Sequence, residues 1–107
     1  MGAMSPLRMP QSLAKRLGVE TGEAVLRHEL LQEQAASLGR MGEKMEKALA
    51  ALSAHAGGEG RPELVRAAAD AVWCFFVQRE VMGLRDRSAV IAQHAIPREV
   101  LNRIGAR

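Results

Sequence analysis

The chain has 107 residues, a formal net charge of +3 and a single cysteine. That is enough chain for one hydrophobic core but not for a second domain, and one cysteine excludes an internal disulfide. Nearly half of the residues are hydrophobic, only 3% are aromatic, and Ala, Leu, Met, Glu and Arg dominate. This helix-former's composition predicts an all-α fold, and no apolar run approaches the roughly 20 residues of a membrane span.

The first residues, MGAMSPLRMP, lack the apolar core of a signal peptide, and MGAM reads as an expression scar ahead of a native start at Met4. Residues 1–11 are expected to be disordered or tag-like, with a single all-helical domain over 12–107. No targeting signal is legible, and Cys74, inside the apolar run AVWCFFV, reads as a small buried hydrophobe; both fit a reducing, cytoplasmic setting. The stretch SLAKRLGVETG, residues 12–22, has the spacing of the first part of a DNA-binding helix-turn-helix. The residues that would then form the recognition helix, ETGEAVLRHE, set Glu20, Glu23 and Glu29 against Arg27 alone, the wrong charge for a phosphate backbone. Leu13, Ala14, Leu17 and Val19 therefore read as a short amphipathic element docking on the rest.

From Gly22 to His55 there is no proline. Ala24, Leu31, Leu38, Met45 and Leu52 recur every seven residues, with Ala35, Met41, Ala48 and Leu49 three or four positions on, which predicts one long helix with a heptad-like stripe. Thr21 is the expected N-cap, with Glu23 favourably placed near the positive end of the helix dipole. HAGGEGRP ends the helix: Gly57 suits a left-handed position, and Pro62 suits the first turn of the next helix.

The second helix is expected from Pro62 to about Met82, apolar over most of its circumference and hence covered on more than one side. Gly83 ends it. Asp86 or Ser88 can cap a short third helix, SAVIAQHA, and Pro97 opens a last one, PREVLNRI, closed by Gly105.

At 1.5 Å per residue, a straight helix over 22–55 would measure about 50 Å, while a compact domain of this size has a radius of gyration of about 13 Å. Either the helix kinks near Gly39 or Gly42, or a second copy covers the excess. The second is the favoured expectation: two long antiparallel hairpins forming a dimeric four-helix bundle, with short N- and C-terminal helices. Leu31, Leu38, Met41, Met45, Leu49, Leu52, Trp73, Phe75 and Phe76 are the candidate interface or core. If the helices pair antiparallel through the short turn, facing residue numbers sum to about 116. Gly39 and Gly42 then fall opposite the segment holding Trp73, Phe75 and Phe76, making room for the rings, and Gly39→Leu should break the packing. The same register sets Arg79 near Glu33 and Glu80 near Arg40 as interhelical ion pairs that fix register more than they stabilise.

No catalytic constellation is legible. There is no Gly-rich phosphate loop after a strand, no nucleophile elbow, and no base beside Cys74. His28, Glu29, Gln32 and Glu33 cluster, but the repeated Glu-x-x-His pairs of a carboxylate di-metal bundle are missing. No metal, cofactor or enzyme activity is expected. The ends of the chain are basic and residues 23–82 slightly acidic, which permits an anionic partner without requiring one. VIAQHAIPREVLNRIG supports the alternative reading, a nucleic-acid-binding dimer using the helix-turn-helix-like segment 88–104, with Arg85, Arg87, Arg98 and Arg103 as anion contacts. Against it, the usual turn glycine is replaced by Ile96-Pro97, and Asn102 falls where an apolar residue belongs.

The stretches HELLQEQAASLGRMGEKMEKALAAL and VWCFFVQREVMGLRD, with the ending IPREVLNRIG, resemble a small bacterial family of proteins of unknown function over residues 9–106. The resemblance implies a complete small protein and no activity, ligand or partner. The leading expectation is a non-enzymatic, cytoplasmic module that dimerises with itself and can also serve as an interaction module for another protein, with no membrane contact.

Overall fold

A computed structural model describes the backbone of residues 11–105 and the side chains of residues 21–105. The expectation of a tag-like N-terminus falls largely on residues outside that range, as do the side chains of Leu13, Ala14, Leu17 and Val19. Four helices follow one another: α1 (Gln11–Ala54), α2 (Arg61–Val81), α3 (Arg87–His94) and α4 (Arg98–Gly105). Among the described residues there is no strand, and no helix is long and apolar enough to cross a membrane.

α1 spans 44 residues, so the short N-terminal element and the long helix expected from Gly22 are one element. Thr21 lies inside it rather than capping it, and no turn interrupts residues 18–22, which removes the first helix-turn-helix reading. Without a proline in this stretch, each further residue adds a backbone bond to an existing ladder, and Gly18 and Gly22 weaken the helix by only about 1 kcal/mol each. α1 also continues through Gly39 and Gly42.

By its internal contacts the chain separates into two units, Met1–Glu33 and Gln34–Arg107. In the first, every described side chain is exposed, including Val25 (54%), Leu26 (67%), Leu30 (57%) and Leu31 (51%). Leu31, a candidate interface or core residue, is thus exposed, because α1 is the only element among the described residues of its unit.

The second unit holds the core. Met45 and Leu52 from α1, Ala68, Ala69, Val72, Phe75 and Phe76 from α2, Val90 from α3, Ile96 from the turn and Val100 from α4 are buried together. Leu38, Met41 and Leu49 pack against them, partly buried, and Trp73 is half-buried. α4 lies along α2. The small Ala68 and Ala69 face inward with Val72, so the neighbouring chain comes close to α2 at the middle of the core.

The connections carry the local signals read from the sequence. Between α1 and α2, Gly57, Gly58 and Gly60 all have left-handed φ, at 112°, 92° and 87°. The His55 ring fastens this turn: Nδ1 accepts the Gly57 N–H at 3.1 Å, which puts the ring proton on Nε2, and Nε2 donates to the Glu59 carbonyl at 2.9 Å. α2 closes on a Schellman motif, with Leu84 N–H donating to Arg79 O at 2.8 Å and Gly83 N–H to Glu80 O at 3.0 Å, the left-handed residue being Gly83. Asp86 caps α3 by accepting from Ala89 N–H at 3.3 Å. α3 ends in the same way as α2, with Ile96 N–H donating to Ile91 O at 3.1 Å, but its left-handed residue is Ala95, at φ 51°, where a Cβ costs about 1 kcal/mol or more.

Candidate functional site

α1 and α2 leave an open groove of about 380 Å³ in the second unit. Met41 and Ala48 from α1 and Ala67, Ala71 and Cys74 from α2 form its apolar walls, with Lys44 and Asp70 at the rim. The groove exists because α2 carries alanines where larger side chains would fill the space. Cys74 is exposed instead of buried: α3 and α4 cover the Val72–Phe76 side of α2, and Cys74 falls on the uncovered side. Val77 (39%) and Val81 (62%) are also exposed on α2, three and seven residues beyond Cys74 and therefore near its face of the helix.

Beneath the groove the two glycines differ. A methyl placed on Gly42 would lie 3.2 Å from Phe75 Cε1, whereas one on Gly39 would meet nothing within 4 Å. Of the two glycines, only Gly42 lies close to an aromatic ring. Gly39, expected to make room for the same rings, lies in open space almost one turn away, so Gly39→Leu has no ring to displace inside the chain.

A second depression, about 510 Å³, brings together six polar side chains: Glu46, Ser53, His55, Arg61, His94 and Glu99. Arg61 holds Glu99 with two hydrogen bonds, Nε to Oε1 at 3.2 Å and Nη2 to Oε2 at 2.7 Å, and donates from Nη1 to the His55 carbonyl at 3.0 Å. Its hydrogen bond to Glu99, reinforced by the carboxylate's charge, raises the guanidinium's pKa further above its ordinary value. His94 Nδ1 lies 3.5 Å from Glu46 Oε2, and its ring stands edge-on to Phe75 at 6.0 Å. These groups engage one another, bracing the start of α2 to α4 and α3 to α1. Among the described residues no three His, Cys, Asp or Glu side chains gather to hold a metal ion. Sequence reasoning missed this set because Arg61 and Glu99 are 38 positions apart, beyond any local spacing rule.

Arg87, expected as an anion contact, is engaged inside the molecule. Its Nη2 donates to Glu80 Oε2 at 2.7 Å, and its guanidinium carbon lies 4.8 Å from the Phe76 ring centroid and 5.8 Å from that of Trp73. Across the α2–α3 corner Glu80 is held by Arg87, and Arg79 donates to the Asp86 carbonyl at 3.3 Å. The corner brings these groups within reach at a separation of only seven residues. Arg85, Arg98 and Arg103 are exposed.

Fold and surface together define a small helical protein with a braced core and an apolar groove. Residues 4–107 match the family described as "Family of unknown function (DUF6665)", and the chain belongs to that family. No curated protein and no solved structure matches the chain.

Proposed function

We propose that this protein is a non-enzymatic, cytoplasmic interaction module whose partner is a second copy of itself. In this reading α1 and α2 form an antiparallel hairpin, and two hairpins join in a four-helix bundle. The observation that carries it is the groove at Met41, Ala48, Ala67, Ala71 and Cys74, an apolar surface between two helices, lined by residues small enough for a third helix to approach closely. The antiparallel pairing is supported by the approach of Gly42 to Phe75, whose numbers sum to 117, close to the value of about 116 set by a short connecting turn.

Light scattering over a concentration range tests the reading. The expected mass is near twice 11.6 kDa, persisting on dilution. A strict monomer throughout would overturn it.

Exposed Arg85, Arg98 and Arg103 favour a second reading, a nucleic-acid-binding dimer using residues 88–104. Binding to mixed DNA that falls steeply with salt, with a slope of about −3 for three phosphate contacts, would favour it over the first. Salt-insensitive or absent binding would dismiss it.

A further inference from the structure

α2 carries an uncovered stripe along its length. Cys74 is exposed at its centre, Ala67 and Val81 are exposed seven residues before and after it, and Ala71 and Val77 flank it three residues to either side. Steps of three, four and seven keep these residues on one face of a helix. Eleven residues before Cys74 stands Glu63, in the first turn of α2, and eleven after it stands Arg85, just past the helix end. Both are exposed, and among the described residues neither is paired within the chain. The whole stripe lies within Gln34–Arg107.

We infer that α2 packs antiparallel against α2 of a second copy, about a two-fold axis at Cys74. The inference rests on the self-association proposed above and adds to it the helix that mates, its direction and its register. Reversing the stripe about Cys74 sets unlike against unlike. Facing residue numbers sum to 148, so Ala67 meets Val81 and Glu63 comes to the level of Arg85, and the symmetry makes each pair twice. A parallel pair would set Val81 against Val81 and Ala67 against Ala67, crowding one end and leaving space at the other, with like charges together at both. Size and charge therefore select the same direction.

The groove gives the partner's valines a seat. It runs beside the Ala67–Cys74 half of the stripe, with Met41 and Ala48 of α1 as its far wall, and the antiparallel register lays the partner's Val77 and Val81 along that half. The alanines there leave the space that larger side chains fill. Asp70, at the groove rim, is already engaged and takes no part in the pairing. One contact thus covers both grooves together with the exposed Val77 and Val81 of both copies, and Cys74 meets its own copy at the axis.

Cross-linking of the full-length chain tests the register. Ala67→Cys and Val81→Cys, each combined with Cys74→Ala, are mixed and treated with a short bismaleimide; the expected product joins position 67 of one copy to position 81 of the other. Neither variant alone should cross-link efficiently, because equivalent positions then stand about 21 Å apart across the axis at 1.5 Å per residue. Val81 is 62% exposed, so Val81→Glu leaves the fold of the chain intact, but it sets a charge over the partner's groove and should raise the dimer dissociation constant by about tenfold or more. Glu63→Arg should raise it by about threefold or more, and Glu63→Arg/Arg85→Glu should return it to within about twofold of the wild type. If light scattering finds a dimer but Val81→Glu is silent, the charge exchange is unrescued or cross-linking joins like positions, the α2 seam is overturned while self-association stands. A wild-type chain that is monomeric at all concentrations overturns both.

Discussion

Leu31 and Met45 hold the same heptad position two repeats apart on α1, yet Leu31 is 51% exposed and Met45 has no exposed surface. Their chemistry is similar and their helix is the same. They differ in cover: in Gln34–Arg107 the helices α2, α3 and α4 supply neighbours, whereas α1 is the only element among the described residues of Met1–Glu33. A periodic apolar stripe says which side of a helix seeks burial and leaves open whether the same chain provides it.

The contrast is sharpest in stability. Phe76→Ala removes a ring that is 2% exposed and should cost about 3–5 kcal/mol in urea unfolding. Leu26→Ala, measured where the chain is alone in solution, should change stability by less than about 0.5 kcal/mol. Equal losses would mean that residues 21–33 are as well packed as the core, and the contrast would be gone.

At the edge of the core, Arg87→Ala forfeits both the stacking on Phe76 and the pair with Glu80, and should lower stability by about 1 kcal/mol. Arg87→Lys keeps the charge without the planar group and should recover about half of that. A neutral alanine variant, read from the urea midpoint, would show that the stacked arginine is incidental.

The glycines divide in the same way. In the monomeric chain, Gly39→Ala should gain about 0.5–1 kcal/mol because its Cβ meets nothing. Gly42→Ala should gain less or lose, because Phe75 Cε1 lies 3.2 Å from the added atom. Equal melting temperatures for the two variants would refute the distinction. A comparable gain is expected at Ala95, whose left-handed φ of 51° favours glycine; Ala95→Gly should stabilise by up to about 1 kcal/mol, visible as a rise in melting temperature.

What was legible in the sequence was local. Gly57, Gly83, Asp86 and Pro97 each announce a helix end within a few residues of themselves, and the structure uses each of them. Thr21 carries the same kind of signal but does not cap α1, because a cap is only an option while the chain on both sides remains helix-competent. The glycine signal resolved to Gly42 and not Gly39, since a facing sum estimated from turn length is uncertain by about a helical turn. Arg61 with Glu99, and His94 with Glu46, were out of reach because tertiary docking alone brings them together. Cys74 was misread for the opposite reason: the run AVWCFFV is uniformly apolar, so nothing in it marks which side α3 and α4 leave bare.

The α1–α2 turn acts as a gauge block for the core. With the His55 ring bonded at both nitrogens and three left-handed glycines, its length and exit direction are fixed, and so is the rotational phase at which α2 starts. One inserted residue would turn α2 by about 100°, withdrawing Phe75 from Gly42 and presenting Cys74 or Phe76 in its place. The groove, the stacked Arg87 and the Arg61–Glu99 brace all inherit their positions from these six residues, 55–60. This short segment thus sets the assembly tolerance for everything that follows it in the second unit.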